Sequence, residues 1–401
     1  MSMRPCSICK LLFGIYTLAS PAEAATAATS GVSFITLGDW GGASLSDNPD
    51  GQTYVKNVRD VASQMAKTAS KRDTQFIINT GDNFYWCGIQ NTSDFQVDVD
   101  FVQPYRDIPK NIKWYSVLGN HEYGYNVSAQ IDLANVHSNW VMDARYYSRR
   151  VPLPYTNNSH HPTKQVRTYV TMILLDTSPC ISEYRSKNKK GWDPCGDEYT
   201  TCALDGGKGI FEGECKFHEQ IISQDCNAQF TWFENELKKV PSNDWLVVVG
   251  HHPADEIDAP GTDFVGVMQK HPRGAHNGVD LYINGHAHTL THYSIDNKGA
   301  YITSGAGALV TSPRTGKEAQ RPAADLTDAK IRTYNKTMGH IVELSKRGKH
   351  KYNKIWNGRV SGFTISTFSD DYRTLTTDFI GVDGNILHSF KIQKNDLFIK
   401  H

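Results

Sequence analysis

The fold is decided at Phe76-Ile77-Ile78-Asn79-Thr80-Gly81-Asp82-Asn83-Phe84-Tyr85. Its opening apolar run is short enough for a buried strand, and Gly81 permits a sharp exit from it. The exit delivers a carboxylate and a phenol three residues apart. A single Gly-Asp is most often a turn, but here the layout recurs along the chain. Val32–Leu37 runs into Gly38-Asp39-Trp40-Gly41-Gly42, and Ile112–Leu118 into Gly119-Asn120-His121-Glu122. Trp245–Val249 closes in Gly250-His251-His252-Pro253, and Val279–Ile283 leads to Gly285-His286-Ala287-His288.

In open α/β sheets, ligands bind beyond the carboxyl ends of the strands. Asp39, Asp82, Asn120, His251, His286 and His288 all lie just past such ends. A core has no use for carboxylates and imidazoles there, because they are costly to bury unless paired or bound to metal. Adding Tyr85 gives two carboxylates, an amide oxygen, three imidazoles and a phenolate, a hard N/O donor set without thiolate. It exceeds the four ligands of an ordinary zinc site and suits two ions sharing Asp82. The phenolate favours ferric iron at one of them.

Between these loops, Val55, Val58, Ala62 and Met65 recur at helical spacing and predict a helix over 52–68. Val170–Leu175 reads as a core strand ending at Asp176-Thr177. A helix is expected over 228–239, and Tyr301–Ser304 leads into Gly305-Ala306-Gly307. Near the end, Gly362–Phe368 and Thr374–Ile380 are strands, and Asp383-Gly384 is a tight-turn signal before a third. Strands alternating with helices predict a layered α/β domain, with the closing hairpins as an antiparallel edge or second sheet. One domain over residues 30–401 is expected. The segment 178–228 breaks the alternation. It is rich in cysteine and without sustained period, so it reads as an ordered, cross-linked loop insertion.

The 401 residues are 39% hydrophobic and carry 42 basic against 42 acidic side chains. There is no global field to attract nucleic acid or an anionic membrane. Arg4 and Lys10 flank the short apolar stretch Leu11–Ala19, and Ala22-Glu23-Ala24 offers small residues for cleavage, so residues 1–24 read as a signal peptide. That stretch is too short to span a bilayer. No later segment is apolar enough to span one either, and Asp396–His401 is neither a hydrophobic tail nor a retention signal. Removing the leader takes Cys6 and Cys9 and leaves Cys87, Cys180, Cys195, Cys202, Cys215 and Cys226. Disulfides are their expected use, with the pairing open. Sequons at Asn91, Asn126, Asn157 and Asn335 agree with a glycosylated protein of the secretory pathway.

Taken together, these motifs resemble those of the purple, tartrate-resistant acid phosphatases of the metallophosphoesterase superfamily, in their short, mammalian-like form. The resemblance rests on residues 38–42, 81–85, 119–122, 250–253 and 285–288. It extends weakly through Asn126–Ile131, Leu175–Thr177, Ser304–Gly307 and the final strands. It implies a four-layer α/β/β/α sandwich of two packed mixed sheets flanked by helices. It also implies a ferric site of Asp39, Asp82, Tyr85 and His288, and a second site for Fe(II), Zn(II) or Mn(II) of Asp82, Asn120, His251 and His286. The implied reaction is hydrolysis of phosphomonoesters, small or protein-borne, through in-line attack by a metal-bound hydroxide, with His121 hydrogen-bonding the phosphoryl group. Asp82, Asn120 and His121 are then the catalytic residues of an expected monomer, secreted or kept in a lysosome or vacuole.

The chain departs from the mammalian-like pattern by lacking a histidine in Asp255-Glu256-Ile257-Asp258-Ala259-Pro260. His252, Glu256 and Asp258 are the groups left to protonate the leaving oxygen. The cysteine-rich insertion is expected either to overhang the site and shape substrate choice, as the exposed repression loop of the mammalian-like enzymes does, or to be a disulfide-stiffened surface loop without catalytic effect. The basic stretch Lys346, Arg347, Lys349 and Lys351 reads as a solvated loop. Two alternatives share the same core: a phosphodiesterase or nucleotide hydrolase, and a phosphatase-like scaffold or membrane anchor without activity. The scaffold is expected to have lost ligands and to keep a membrane-spanning tail, whereas this chain has all seven ligand positions.

Overall fold

The computed structural model describes residues 31–45, 51–155, 167–186, 192–195, 202, 214–273, 276–308, 310 and 349–394. The expected leader, the sequons at Asn157 and Asn335, Lys346, Arg347 and the closing Asp396–His401 lie outside them. In chain order the elements begin with β1 (Ser33–Leu37), α1 (Gly51–Lys71), β2 (Thr74–Asn79) and β3 (Lys113–Ser116). Next come α2 (Val127–Asp132), β4 (Trp140–Val141), β5 (Tyr147–Pro152), β6 (Tyr169–Leu174), α3 (Phe217–Ile222), α4 (Cys226–Lys239) and β7 (Trp245–Val249). They continue with α5 (Phe264–Lys270), the short pair β8 (Pro272–Arg273) and β9 (His276–Asn277), β10 (Leu281–Asn284), β11 (Leu290–Ile295) and β12 (Lys298–Ser304). The last strands are β13 (Tyr352–Gly358), β14 (Gly362–Phe368), β15 (Thr374–Gly381) and β16 (Ile386–Gln393).

Two mixed seven-stranded sheets result, with orders β16-β15-β14-β1-β2-β3-β4 and β13-β11-β12-β10-β7-β6-β5. The two-residue side-chain period sorts each central strand between layers. In β7, Trp245, Val247 and Val249 join β1, β2 and β14 residues in the core between the sheets. Leu246 and Val248 face the other way, onto Phe233 and Leu237 of α4 and Phe264 and Met268 of α5. Val58, Ala62 and Met65 of α1 are buried at the predicted spacing. The α/β sandwich of two mixed sheets with flanking helices is therefore present. Among the described residues, no helix is long and apolar enough to cross a membrane.

The closing hairpins form the antiparallel edge of the first sheet, where β14 pairs with β1. β13 goes instead to the edge of the second. Sequence reading did not name β11, although all six of its residues are buried. Thr291, His292 and Ser294 hide its apolar pattern. Two of these polar groups have partners: Thr291 Oγ1 meets Thr289 Oγ1 at 2.8 Å, and His292 Nδ1 meets His388 Nε2 at 3.0 Å. The insertion is cross-linked as expected, by Cys87–Cys202, Cys180–Cys226 and Cys195–Cys215. It is not all loop, however, since α3 forms within it. Phe217 and Ile221 of that short helix are buried.

Candidate metal centre

The parallel strands β1, β2 and β3 of one sheet and β7 and β10 of the other end on the same side of the molecule. The loops leaving them bring the expected residues together. Asp39, Asp82, Tyr85, Asn120, His121, His251, His286 and His288 are each exposed by no more than 1%. Tyr85 Oη lies 3.0 Å from His288 Nε2 and 3.4 Å from both Asp39 Oδ1 and Asp82 Oδ2. His288 Nε2 is 3.2 Å from Asp39 Oδ1. On the other side of Asp82, His251 Nε2 is 3.2 Å from its Oδ2 and 3.0 Å from Asn120 Oδ1. His286 Nδ1 also lies 3.0 Å from Asn120 Oδ1.

Four of these residues have left-handed backbones: Asp39 (φ 56°), Asp82 (51°), His286 (68°) and His288 (40°). Such conformations cost a non-glycine residue of order 1–3 kcal/mol and persist where surrounding structure imposes them. The hydrogen bonds doing so cross between loops. The His286 N–H donates to both oxygens of Asp39 at 2.9 and 3.1 Å, and the Asp39 N–H donates to the Gly81 carbonyl at 2.9 Å. Two glycines allow the close approach. A Cβ on Gly119 would lie 2.1 Å from Asp82 Oδ1, and one on Gly285 would lie 2.4 Å from Asp39 Oδ2.

Three further groups hold the loops, and sequence reading gave none of them a role. Glu122 is buried and its carboxylate accepts four backbone N–H groups. Oε2 takes those of Gly119 (2.5 Å) and Asp82 (2.9 Å), and Oε1 takes those of Asn83 (2.9 Å) and Phe84 (3.3 Å). The Thr80 carbonyl accepts His251 Nδ1–H at 2.8 Å. Thr177 Oγ1 accepts the His251 and His252 N–H groups at 3.2 and 3.1 Å. A carboxylate three residues after Gly119 was the one available signal, and nothing in it names four backbone partners.

The site fits cations. His251 uses its Nδ1–H on a carbonyl, so its neutral ring turns the Nε2 lone pair toward Asp82 Oδ2 and Asn120 Oδ1, themselves acceptors. Only a proton or a metal ion reconciles the three. Burial pushes Asp39 well above the usual carboxylate range, with Asp82 adding to the rise. Burial also acts to raise Asp82, but His251 and His121 outweigh it and hold that carboxyl below its ordinary value. His251 is driven down by burial yet up to about 9 by Asp82, while burial takes His288 down to about 3. Without added positive charge, the two carboxylates cannot both stay ionised at little cost. Asp39, Asp82 and His251 form one group able to hold a metal ion, and His251, His252 and His286 another.

The candidate leaving-group acids separate in space. Asp258 is turned to the insertion, accepting the Ser182 N–H at 2.7 Å. His252 has Thr177 Oγ1 at 2.8 Å from Nδ1 and Tyr184 Oη at 3.2 Å from Nε2. Glu256 reaches the site, with Oε2 3.8 Å from His286 Nε2. His121 donates Nδ1–H to the Trp86 carbonyl at 2.7 Å and turns Nε2 toward Asp82 Oδ2 at 4.0 Å.

Comparison with known proteins adds the family. The model of the calcineurin-like phosphoesterase family matches residues 32–290. Tartrate-resistant acid phosphatase type 5 of Mus musculus is 28% identical over 283 residues, which is 70% of this chain and 74% of that protein. Purple acid phosphatase 17 of Arabidopsis thaliana is 30% identical over 280 residues, 69% of this chain and 68% of the relative. Among solved structures, GAP50, the anchor in the inner membrane complex of Plasmodium, shares the fold with a TM-score of 0.55 at 17% identity, covering 91% of this chain and 89% of that one. The matched span contains all eight converging residues, and the chain belongs to the calcineurin-like phosphoesterase family.

Proposed function

We propose that this chain is an acid phosphatase hydrolysing phosphomonoesters with two metal ions that share Asp82. The observation that carries this reading is the convergence of carboxylate, amide, phenol and imidazole atoms, each 3.0–3.4 Å from its neighbours, at the meeting ends of two sheets. On this reading Asp39, Asp82, Tyr85 and His288 hold Fe(III), and Asp82, Asn120, His251 and His286 hold Fe(II), Zn(II) or Mn(II). Bound there, the ions supply Lewis acidity toward phosphoryl oxygens and a water activated for attack.

The chain's own residues position the reactants. Asp82 lies between Tyr85 and His251 and so suits a shared ligand. Asn120 Oδ1 closes on both imidazoles of the second position. The buried Nε2 of His121 has no hydrogen-bond partner. It is placed to hydrogen-bond a phosphoryl oxygen of the ester. Of the groups left to serve the leaving oxygen, Glu256 is the one whose carboxyl stands beside the site. The relatives named as acid phosphatases support a monoester substrate, and three disulfides support an oxidising, secretory compartment. An anchor without turnover has likeness of fold alone behind it.

Metal analysis, a visible spectrum and turnover on the purified full-length chain test the proposal. Two ions per chain are expected, with phosphate released from p-nitrophenyl phosphate in acid, inhibited by vanadate, and faster than from the matching diester. A chain loaded at both positions that releases no phosphate refutes it.

A further inference from the structure

His252 follows a proposed ligand and packs tilted against another, its ring 5.0 Å from that of His251 and 4.3 Å from that of His286. Proximity alone would make it a third imidazole for the same ion. Its hydrogen bonds give it different work. The hydroxyl of Thr177 has two lone pairs and one hydrogen. The lone pairs receive the His251 and His252 N–H groups, so the hydrogen goes to His252 Nδ1. The ring proton of neutral His252 is therefore on Nε2, donated to Tyr184 Oη at 3.2 Å. The order Thr177 to His252 to Tyr184 leaves neither nitrogen for a metal.

Tyr184 belongs to the cysteine-rich insertion, and its ring lies 5.5 Å from that of His252. From the same insertion, Trp192 lies tilted against Tyr184 at 5.9 Å and edge-on to His121 at 4.9 Å. Phe217 backs both, at 5.1 Å from Trp192 and 5.4 Å from Tyr184. All three are buried. The base of this wall is fastened by Arg185, whose Nη1 donates to the carbonyls of Pro179, Ile221 and Gln224 at 3.0–3.2 Å. The Cys87–Cys202 bridge joins the insertion to the loop that carries Tyr85 and Trp86.

We infer that Tyr184 and Trp192 are positioning residues of the site, Tyr184 setting the ring of His252 against His286 and Trp192 setting His121 toward Asp82. The sign is opposite to that of a repressive overhang: this part of the insertion builds the site, and losing it lowers turnover. The inference rests on the proposed phosphatase activity.

The test uses full-length chain, loaded with Fe(III) and Zn(II) for kinetics and with zinc at both positions for spectroscopy, as wild type, Tyr184→Phe, Trp192→Phe and Trp192→Ala. The expected result for Tyr184→Phe is unchanged zinc content, a melting temperature lowered as the buried His252 Nε2–H loses its acceptor, and kcat about tenfold lower with KM little changed. Trp192→Ala should lose about 10- to 100-fold in kcat, the range seen when groups supporting a metal site are removed. Trp192→Phe, which keeps a ring against His121, should recover most of it. A second readout does not depend on turnover. In ¹⁵N-histidine spectra, His252 should appear as a slowly exchanging Nε2–H tautomer in wild type and lose that protection in Tyr184→Phe. Equal or higher kcat with an unchanged His252 signal in both Tyr184→Phe and Trp192→Ala overturns the inference. So does a Trp192→Ala defect confined to folding while the other two variants match wild type. If Fe(III)–Zn(II)-loaded wild type neither turns over nor binds inorganic phosphate, the functional reading fails, and the His252 signal of the zinc-loaded chain still decides on the wall.

Discussion

Replacing Glu122 by glutamine keeps size and shape and removes one acceptor, which isolates its role as the hub of the two metal-side loops. Glutamine can place its carbonyl where either Oε1 or Oε2 stands. In either orientation its NH₂ faces two backbone donors, those of Asn83 and Phe84 or those of Asp82 and Gly119. A buried donor left unmet costs about 1–3 kcal/mol, so the pair costs about 2–6 kcal/mol, a large share of a stability of 5–15 kcal/mol. In the metal-free chain, burial and the Asp82 charge push the Glu122 carboxyl up to about 7, opposing what the N–H groups give. Cations beside Asp82 cancel that opposition, so the loss should be larger in the metal-loaded protein than in the metal-free one. Urea unfolding of both forms reads the stability. Titration with zinc reads the affinity, expected to fall about 10- to 100-fold as the loops re-aim. If Glu122→Gln matches wild type in both forms, the carboxylate does not organise these loops.

Asp82→Ala should lose both ions together, whereas Tyr85→Phe should keep metal but bleach the visible band of iron-loaded protein; a colourless iron-loaded wild type refutes the role given to Tyr85. Gly285→Ala puts a methyl 2.4 Å from Asp39 Oδ2 and 2.8 Å from Thr80 Oγ1. Such overpacking costs about 1–3 kcal/mol, and metal analysis should show depletion at the position that uses Asp39. Asp263 caps α5 and pairs with Lys349 and His350 at 2.7 and 2.8 Å. Burial opposes its ionisation, but Lys349 and His350 hold it down at about 2. Its contribution is therefore whole above pH 4 and lost as pH falls toward 2. His350 works in the other direction, its pKa lowered by burial but raised overall by Asp296 and Asp263. Its share is whole below about pH 6.5 and is lost as pH rises through the raised value. Asp263→Asn should flatten stability against pH at both ends, and curves parallel to wild type refute the clasp.

The metal-side loops were legible because each follows a run of apolar residues that a buried parallel strand requires, and a glycine marks each exit. Trp245–Val249 and Gly362–Phe368 coincide with the strands observed, and α1 begins one residue before the expected helix and runs on to Lys71. What escaped was polar matter satisfied by distant partners. β11 reads as loop because its polar side chains are met by groups elsewhere: Asn357 Nδ2–H donates to Thr291 Oγ1, and His292 pairs with His388. Thr80 and Thr177 act through a backbone carbonyl and a hydroxyl that no pattern distinguishes. The pairing Cys87–Cys202 joins cysteines 115 residues apart, and only the docked insertion brings them together. His252 looked like a spare acid; the structure shows both its nitrogens already committed.

The division of the converging residues between the sheets has a thermodynamic consequence. Asp39, Asp82, Tyr85 and Asn120 leave strands of one sheet; His251 and His286 leave strands of the other, and His288 enters it. On the proposed assignment every ion draws ligands from both, so occupancy and cohesion of the two halves are linked functions. An ion held at 100 times its dissociation constant adds about 2.7 kcal/mol to that cohesion. Chelation should therefore weaken the joint before it weakens either sheet, and amide exchange in β3 and β10 should rise while β15 stays protected. Neither position exists until the halves have met, which makes metal loading a late event in the maturation of the chain.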